Sequence, residues 1–540
     1  MRQRMLSERW GRRSARALIL GVSLAALSAC DDLLEVELTH LLTEDAIAGA
    51  STAELQVMSA VALFECGSSA FAWPMLGNED VLESVAGVAS GAHVWRVTPG
   101  TGTCDTASTT QNWFDQFMGA RTLISTDPAK LAPTGLGYVG VGTAEGVYDK
   151  MNDGRYNLGA AGERLSAIAA VYMGAVLGHF GQFYCEGALD NSEPITPDGF
   201  LAMAEDWITN RAIGHIASFG DFALPNNAAP SAQNAALALR SQIRWARGNL
   251  AGADADAATV LAADPAFTFW VTRESGEQRR NKTRHAATEV RFSGMLGPID
   301  WWNPSERAPN PATGQFWTNP IPFTGYIFLG VGPEGQTFES ANLPLTWAAQ
   351  ARDADGNPVP LANGAVEDTR VPHLFGNVQG PGLRENPEYY LTDSQDEPYA
   401  SWRELTLIRA EYARSQNDLQ GAIDFVNVLR AFHLLPEISG VHETALLADG
   451  VAVRAMLLEE KRRELFSQSG RYLATKIQNT DLLWFPRAQG ATPFQGYNLQ
   501  GGVRLGFPAD EYTLNPNFAA LGDIGTVRGS MCGDAQRPRY

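Results

Sequence analysis

Apolar side chains recur at steps of three and four residues along several parts of the chain, the spacing that places them on one face of an α-helix. In one stretch this spacing joins Leu165, Ile168, Tyr172 and Val176. The same pattern marks residues 200–219, 235–267, 402–414, 422–432 and 451–466. We therefore predict a mainly α-helical protein.

Residues 235–267 have the organisation of a helical hairpin. Leu239, Ile243 and Ala246 form one apolar face, residues 248–253 form a glycine-containing turn, and a second helical stretch ends before Asp264-Pro265. This length is close to the roughly 34 residues of a tetratricopeptide-like unit. We predict a single domain over residues 43–540, with helical repeats mainly at 43–66, 160–267 and 400–470.

Two stretches, residues 67–159 and 268–397, are rich in turn signals and predict a loop-rich lobe with a few short strands. Many of the 13 tryptophans fall there, and seven of these lie outside helical core spacing. They are Trp73, Trp95, Trp113, Trp301, Trp302, Trp317 and Trp347. Aromatic faces in loops can stack on a sugar ring or a peptide side chain, although most are expected to serve the core.

The first 29 residues read as a signal peptide, with six arginines before an apolar run at residues 17–27. That run is shorter than the roughly 20 residues needed to cross a bilayer. Leu27-Ser28-Ala29-Cys30 resembles the lipobox of bacterial lipoproteins, which predicts lipid attachment at Cys30 and a tether over residues 30–42. The alternative is an ordinary cleaved signal with a chance cysteine. No later stretch approaches membrane-spanning length.

The net charge argues against one class of function, and the cysteine content predicts disulfide bonds. The chain has 60 acidic and 41 basic side chains, a net charge of -19, which argues against non-specific nucleic-acid binding. Besides Cys30 there are four cysteines, and an oxidising compartment favours two disulfides among them. Three pairings are possible, and we prefer Cys66–Cys104 with Cys185–Cys532.

Motifs for catalysis are weak. Gly135, Gly137 and Gly140 match a nucleotide-loop spacing without the preceding strand that would give it meaning. Glu459 and Arg463 are predicted to form an ordinary solvated pair on a helix. The sequence offers no convergent acid–base pair, so we predict no catalytic residues, no metal and no cofactor.

Five segments together resemble the SusD/RagB family of nutrient-uptake outer-membrane lipoproteins. They are residues 30–36 (CDDLLEV) with 42–46 (LTEDA), 405–413 (LTLIRAEYA), 422–431 (AIDFVNVLRA), 460–466 (EKRRELF) with 470–472 (GRY), and 507–517 (FPADEYTLNPN). Tyr472 stands where the family usually carries tryptophan. Residues 267–397 also diverge from the family's pattern.

The resemblance implies four tetratricopeptide-like helical pairs packed against a loop-rich ligand-binding lobe. It implies a surface-exposed lipoprotein of a Gram-negative outer membrane that docks on a SusC-like TonB-dependent transporter. The ligand would contact residues 71–96 and 300–326. Within them, stacking is expected from Trp73, Trp95, Trp301 and Trp302, and hydrogen bonding from Asn78, Asp80 and Arg96.

We therefore predict a non-catalytic protein that captures an oligosaccharide, or a peptide, and delivers it to the transporter. Two alternatives stay open at this point. One is a secreted polysaccharide-active hydrolase or lyase, and the other is an envelope scaffold that uses its helical repeats for protein contacts.

Overall fold

The computed structural model describes residues 49–78, 113–126, 145–190, 192–275, 279–281, 390–435, 437–465, 468–479 and 515–519, together with Arg370, Arg504 and four short strands between 346 and 387. For residues 73–78 only the backbone is described. Contacts separate residues 1–52 from residues 53–540. In the first unit the described part is the short 3₁₀ turn Ala50–Thr52.

The second unit is built mainly from helices. In chain order they are α1 (Ala53–Asn78), α2 (Trp113–Ile124), α3 (Val147–Asn152), α4 (Ala160–Phe183), α5 (Pro197–Asp206), α6 (Ile213–Phe219), α7 (Ala232–Ala246), α8 (Leu250–Ala263), α9 (Trp402–Ser415), α10 (Leu419–Phe432), α11 (Gly440–Leu447), α12 (Gly450–Glu464), α13 (Arg471–Gln478) and α14 (Pro516–Ala519). A π-helical turn, Trp207–Ala212, joins α5 to α6.

Neighbouring helices pack as pairs, α1 with α2, α7 with α8 and α9 with α10, and α8 also packs on α9. Local capping explains where several of them begin. The side chains of Thr196, Ser231, Asn249, Ser401 and Asp418 each accept a backbone N–H from the first turn of α5, α7, α8, α9 and α10 respectively. The predicted 235–267 hairpin is confirmed, with its turn between Ala246 and Leu250.

Helix α4 is the centre of the fold. It packs against α1, α2, α5, α6 and α7, and every residue from 165 to 183 is buried. The sequence predicted one apolar face, but glycine and alanine on the other faces let neighbouring helices approach closely. A Cβ at Gly174 would lie 2.6 Å from Cγ1 of Ile208, for example. The helix is therefore enclosed on all sides.

Within residues 67–159, predicted to be loop-rich, residues 67–78, 113–124 and 147–152 are instead helical, because α1 continues through Gly67 to Asn78 and α2 and α3 follow. Gly67 does not break α1. It lies where α1 meets α2, and a Cβ there would be 3.2 Å from the carbonyl oxygen of Trp113. Trp113, expected in a loop, lies on α2 and is buried, and its Nε1 donates to the hydroxyl of Tyr184 at 2.9 Å.

Strands frame the second loop-rich stretch. Antiparallel strands β1 (Thr268–Val271) and β6 (Glu397–Ser401) pair Thr268 with Ser401 and Val271 with Glu397, so the excursion between them leaves and returns at one place beside α9. Within the excursion, β2 (Thr346–Trp347) pairs in parallel with β3 (Val366–Glu367), and β4 (His373–Gly376) pairs antiparallel with β5 (Arg384–Pro387).

Candidate functional site

The predicted ligand-binding residues fall mostly outside the described part of the chain. Trp73 and Asn78 lie on α1, so the first segment expected to contact the ligand, residues 71–96, begins as a helix rather than as a loop. The others, Asp80, Trp95, Arg96, Trp301 and Trp302, lie outside the described residues. The ligand-binding assignment therefore stays a prediction.

The same holds for part of the cysteine set. Cys30, Cys104 and Cys532 lie outside the described residues, which leaves lipid attachment a prediction. Cys66 on α1 and Cys185 after α4 are both buried and both disulfide-bonded. Their pairing stays a prediction.

The largest concentration of charge in the described part of the chain lies at the end of α12. Six consecutive residues, 459–464 (EEKRRE), are between 0% and 3% exposed. The predicted solvated pair is therefore wrong: Glu459 accepts from Nε of Arg463 at 2.9 Å, but both side chains are fully buried. Buried charges are costly unless they are paired, so this segment must find partners on other elements.

Glu460 and Glu464, one helical turn apart, contact basic side chains from three segments; we call these two carboxylates and their partners the α12 charge cluster. From α10, Arg430 Nη1 lies 2.8 Å from Oε1 of Glu460, and from the residue that caps α10, His433 Nε2 lies 3.0 Å from Oε1 of Glu464. From α9, Arg403 Nη1 lies 3.2 Å from the same Glu464 oxygen. From the excursion, Arg370 Nη1 lies 2.5 Å from Oε2 of Glu460.

These partners set the protonation of the carboxylates. Burial alone raises the pKa of Glu464, but the hydrogen bond to His433 and the charges of Arg403 and Arg370 outweigh it and lower that pKa below its usual range. Burial raises the pKa of Glu459 despite Arg463 and Arg462. Both carboxylates of the α12 charge cluster are thus ion-paired and fully buried, which suits a structural role.

A second buried group joins four helices. Glu404 on α9 accepts from Nε of Arg471 on α13 at 2.8 Å and from Nε2 of Gln242 on α7 at 2.6 Å. Arg471 also donates through Nη1 to Oε1 of Gln182 on α4 at 2.7 Å. We call Glu404, Arg471, Gln242 and Gln182 the Glu404 network. The sequence signal for it was Arg471 within the GRY segment, although its partners are distant in the chain.

A hydrogen-bonded chain that the sequence did not suggest links α3, α4 and α6. Nδ1 of His215 lies 2.7 Å from Oε2 of Glu163, and Nε2 of His215 lies 3.1 Å from the hydroxyl of Tyr148. Carboxylate, imidazole and hydroxyl in this order are also the parts of a catalytic triad. Burial raises the pKa of Tyr148 to about 12, however, which disfavours the nucleophilic phenolate.

Among the residues that the structure describes, there is no group of three or more His, Cys, Asp and Glu side chains that could hold a metal ion. By length and composition alone, two helices, Ala50–Ala72 and Ala160–Phe183, are long and apolar enough to span a membrane. The expectation that no later stretch approaches membrane-spanning length is therefore wrong. In the second helix, residues 165–183 are all buried in the protein's own core.

No family model and no curated protein matches the sequence. Solved structures do match in fold. A SusD superfamily protein from Bacteroides thetaiotaomicron aligns with 12% identity and a TM-score of 0.51, covering 87% of this chain and 99% of that one. A SusD superfamily protein (TM-score 0.46, 11% identity, 87% and 97% covered) and a SusD-like carbohydrate binding protein (0.45, 12%, 80% and 84%), both from Bacteroides vulgatus, are also similar.

The alignment with the Bacteroides thetaiotaomicron protein shows that this chain has the SusD-like fold over most of its length. The resemblance drawn from five short segments is thereby confirmed for the fold, and the mainly α architecture with it. At 12% identity the likeness concerns the fold alone.

Proposed function

We propose that this protein is a non-catalytic, glycan-binding lipoprotein of a Gram-negative outer membrane, which captures an oligosaccharide and delivers it to a TonB-dependent transporter. The observation that carries the proposal is the SusD-like fold, which extends over 99% of the aligned superfamily protein. The sequence motifs of the nutrient-uptake family support it independently, because they occur in the family's order along this chain.

The architecture is suited to capture. Enclosed α4 and the two buried polar groups make the helical part a rigid support, and binding sites gain affinity when their side chains are held in place before the ligand arrives. Strands β1 and β6 return the 272–396 excursion to that support. Of the two stretches expected to contact the ligand, residues 71–96 begin on α1, and residues 300–326 lie within the excursion.

The first test is ligand binding by the mature chain carrying Cys30→Ser. We expect retardation in native gels that contain one soluble polysaccharide from a panel of starch, xylan, mannan, levan and pectin. Alanine at Trp73, Trp95, Trp301 or Trp302 should weaken the affinity about thirty-fold where the ring is a central platform, or about 2 kcal/mol. Phe432→Ala is the matched control, because Phe432 is 59% exposed on α10, outside the expected ligand stretches.

Other results would assign another function. Binding of a peptide pool with no polysaccharide retardation would make the ligand a peptide. Release of reducing ends from a polysaccharide by the pure protein would establish a hydrolase or lyase. For delivery, we expect the lipidated protein to co-purify a TonB-dependent transporter from detergent-solubilised outer membranes, and its failure to do so under conditions that preserve other complexes would contradict that step.

A further inference from the structure

Arg370 belongs to the excursion between β1 and β6, yet its side chain is buried in the α12 charge cluster. Its Nη1 lies 2.5 Å from Oε2 of Glu460 and 3.5 Å from Oε2 of Glu464. A guanidinium is rarely buried unless carboxylates compensate its charge. The excursion is therefore joined to the helical repeats by an ionic contact far from its two ends at β1 and β6.

We propose that Arg370 is a positioning residue, which fixes the ligand-facing excursion on the helical repeats and so supports the binding site. The proposal rests on the proposed function for its ligand. Arg370 is three residues after β3 (Val366–Glu367) and three before β4 (His373–Gly376). Three residues span at most about 10 Å, so one buried contact restrains both strand pairs.

The arrangement of basic side chains around Glu460 and Glu464 predicts which part of the protein loses order when Arg370 is removed. Glu460 keeps Arg430 of α10, and Glu464 keeps Arg403 of α9 and His433. Each carboxylate thus retains a partner on the helical side when Arg370 is removed. The effect of Arg370→Gln should therefore fall mainly on the excursion.

Arg403→Gln provides the matched control. It removes a largely buried arginine from the same Glu464 carboxylate, but from α9 rather than from the excursion. In hydrogen–deuterium exchange of the full mature chain, we expect Arg370→Gln to accelerate exchange in peptides covering residues 366–387 by about tenfold or more. We expect Arg403→Gln to leave those peptides unchanged, and Arg370→Lys to restore part of the protection because it keeps the charge.

Equal acceleration in Arg370→Gln and Arg403→Gln, or no acceleration in either, would overturn the proposal. If Arg370→Gln does not fold, the comparison between Arg370→Lys and Arg403→Lys decides it in the same way. The Lys variants retain the cation but lose the guanidinium geometry.

Measurements of ligand affinity distinguish a positioning role of Arg370 from a general effect on the stability of the protein. With the polysaccharide that retards the wild type, we expect Arg370→Gln to lose at least tenfold in affinity while Arg403→Gln keeps wild-type affinity at a similar melting temperature. Unchanged affinity in Arg370→Gln would refute the positioning role even if exchange rises. If no polysaccharide binds the wild type, the proposed function fails, and the exchange comparison still decides whether Arg370 restrains the excursion.

Discussion

Removal of the Glu404 carboxylate is the most demanding test of how this fold is held together. The Glu404 network joins α4, α7, α9 and α13 through one buried carboxylate, with side-chain exposures of 5% at Glu404 and 3% at Arg471. Besides the two arginine contacts, Gln242 donates to Glu404 at 2.6 Å and to the carbonyl of Tyr399 at 3.0 Å. Four helices therefore depend on the same group.

The expected size follows from what remains after the substitution. Glu404→Ala leaves Arg471 buried and opposite the neutral Gln182 side chain, and an uncompensated buried charge typically costs about 3–5 kcal/mol. Glu404→Gln keeps the volume and an accepting oxygen but loses the ionic component, so about 1–3 kcal/mol is expected. Glu404→Leu combined with Arg471→Met removes both charges and should be less destabilising than Glu404→Ala.

Urea unfolding at pH 7, followed by far-ultraviolet circular dichroism, measures these differences through the midpoint and the m-value. Asp424→Ala is the control, because Asp424 is exposed on α10 and accepts only from Gln420 among the hydrogen bonds described, so its change should stay within about 0.5 kcal/mol. A loss below about 1 kcal/mol for Glu404→Ala at an unchanged m-value would show that the network does not stabilise the fold as argued.

Four further outcomes are expected. Burial lowers the pKa of His179 well below 6.5, so the unfolded chain takes up a proton that the native state does not. The free energy of unfolding should therefore fall as the pH drops below about 6.5, by up to about 1.4 kcal/mol per pH unit. His179→Phe should remove this contribution, which is measured by comparing urea midpoints at pH 7 and 5.5. Gly181→Ala places a Cβ 2.8 Å from the carbonyl oxygen of Pro197 and should cost about 1–3 kcal/mol in urea midpoints, whereas Gly214→Ala, with no atom within 4 Å, should not destabilise. Cys30→Ser should move the protein from the membrane to the aqueous phase in detergent partitioning, and retention in the detergent phase would contradict the lipobox assignment. Thiol titration of the unreduced, unfolded mature protein should find no free thiols apart from any at an unmodified Cys30, and two or more others would contradict the two-disulfide assignment.

Regular helices were predictable because their signals are local. The Leu165–Val176 face and the 235–267 hairpin are encoded within a few turns of chain, and Thr196 caps α5 through the N–H of Gly199, three residues away. Local signals also explain an error. The turn signals predict a loop-rich stretch from residue 67 onwards, but the small size of Gly67 serves the contact between α1 and α2, which a window of neighbouring residues cannot reveal.

The burial of residues 459–464 was not predictable from the sequence because its cause is not local. Charged residues on a helix face solvent by default, and Glu459 with Arg463 has the spacing of a surface pair. The other cations come from far away: Arg430 is 30 residues from Glu460, and Arg370 is 90. Only the assembled helices bring these charges together and exclude water.

The GRY segment explains why the motif resemblance gave the fold and left the ligand open. Gly470 adopts φ +75°, and a Cβ there would lie 2.7 Å from Cε1 of Phe71, so glycine fits both the backbone and the contact. Arg471 completes the Glu404 network, and Tyr472, which stands where the family usually carries tryptophan, is a buried aromatic residue. The three residues act in the interior. Motif likeness of this kind carries packing from one protein to another. We expect ligand specificity to come from residues 71–96 and 268–397, all of which lie outside these motifs.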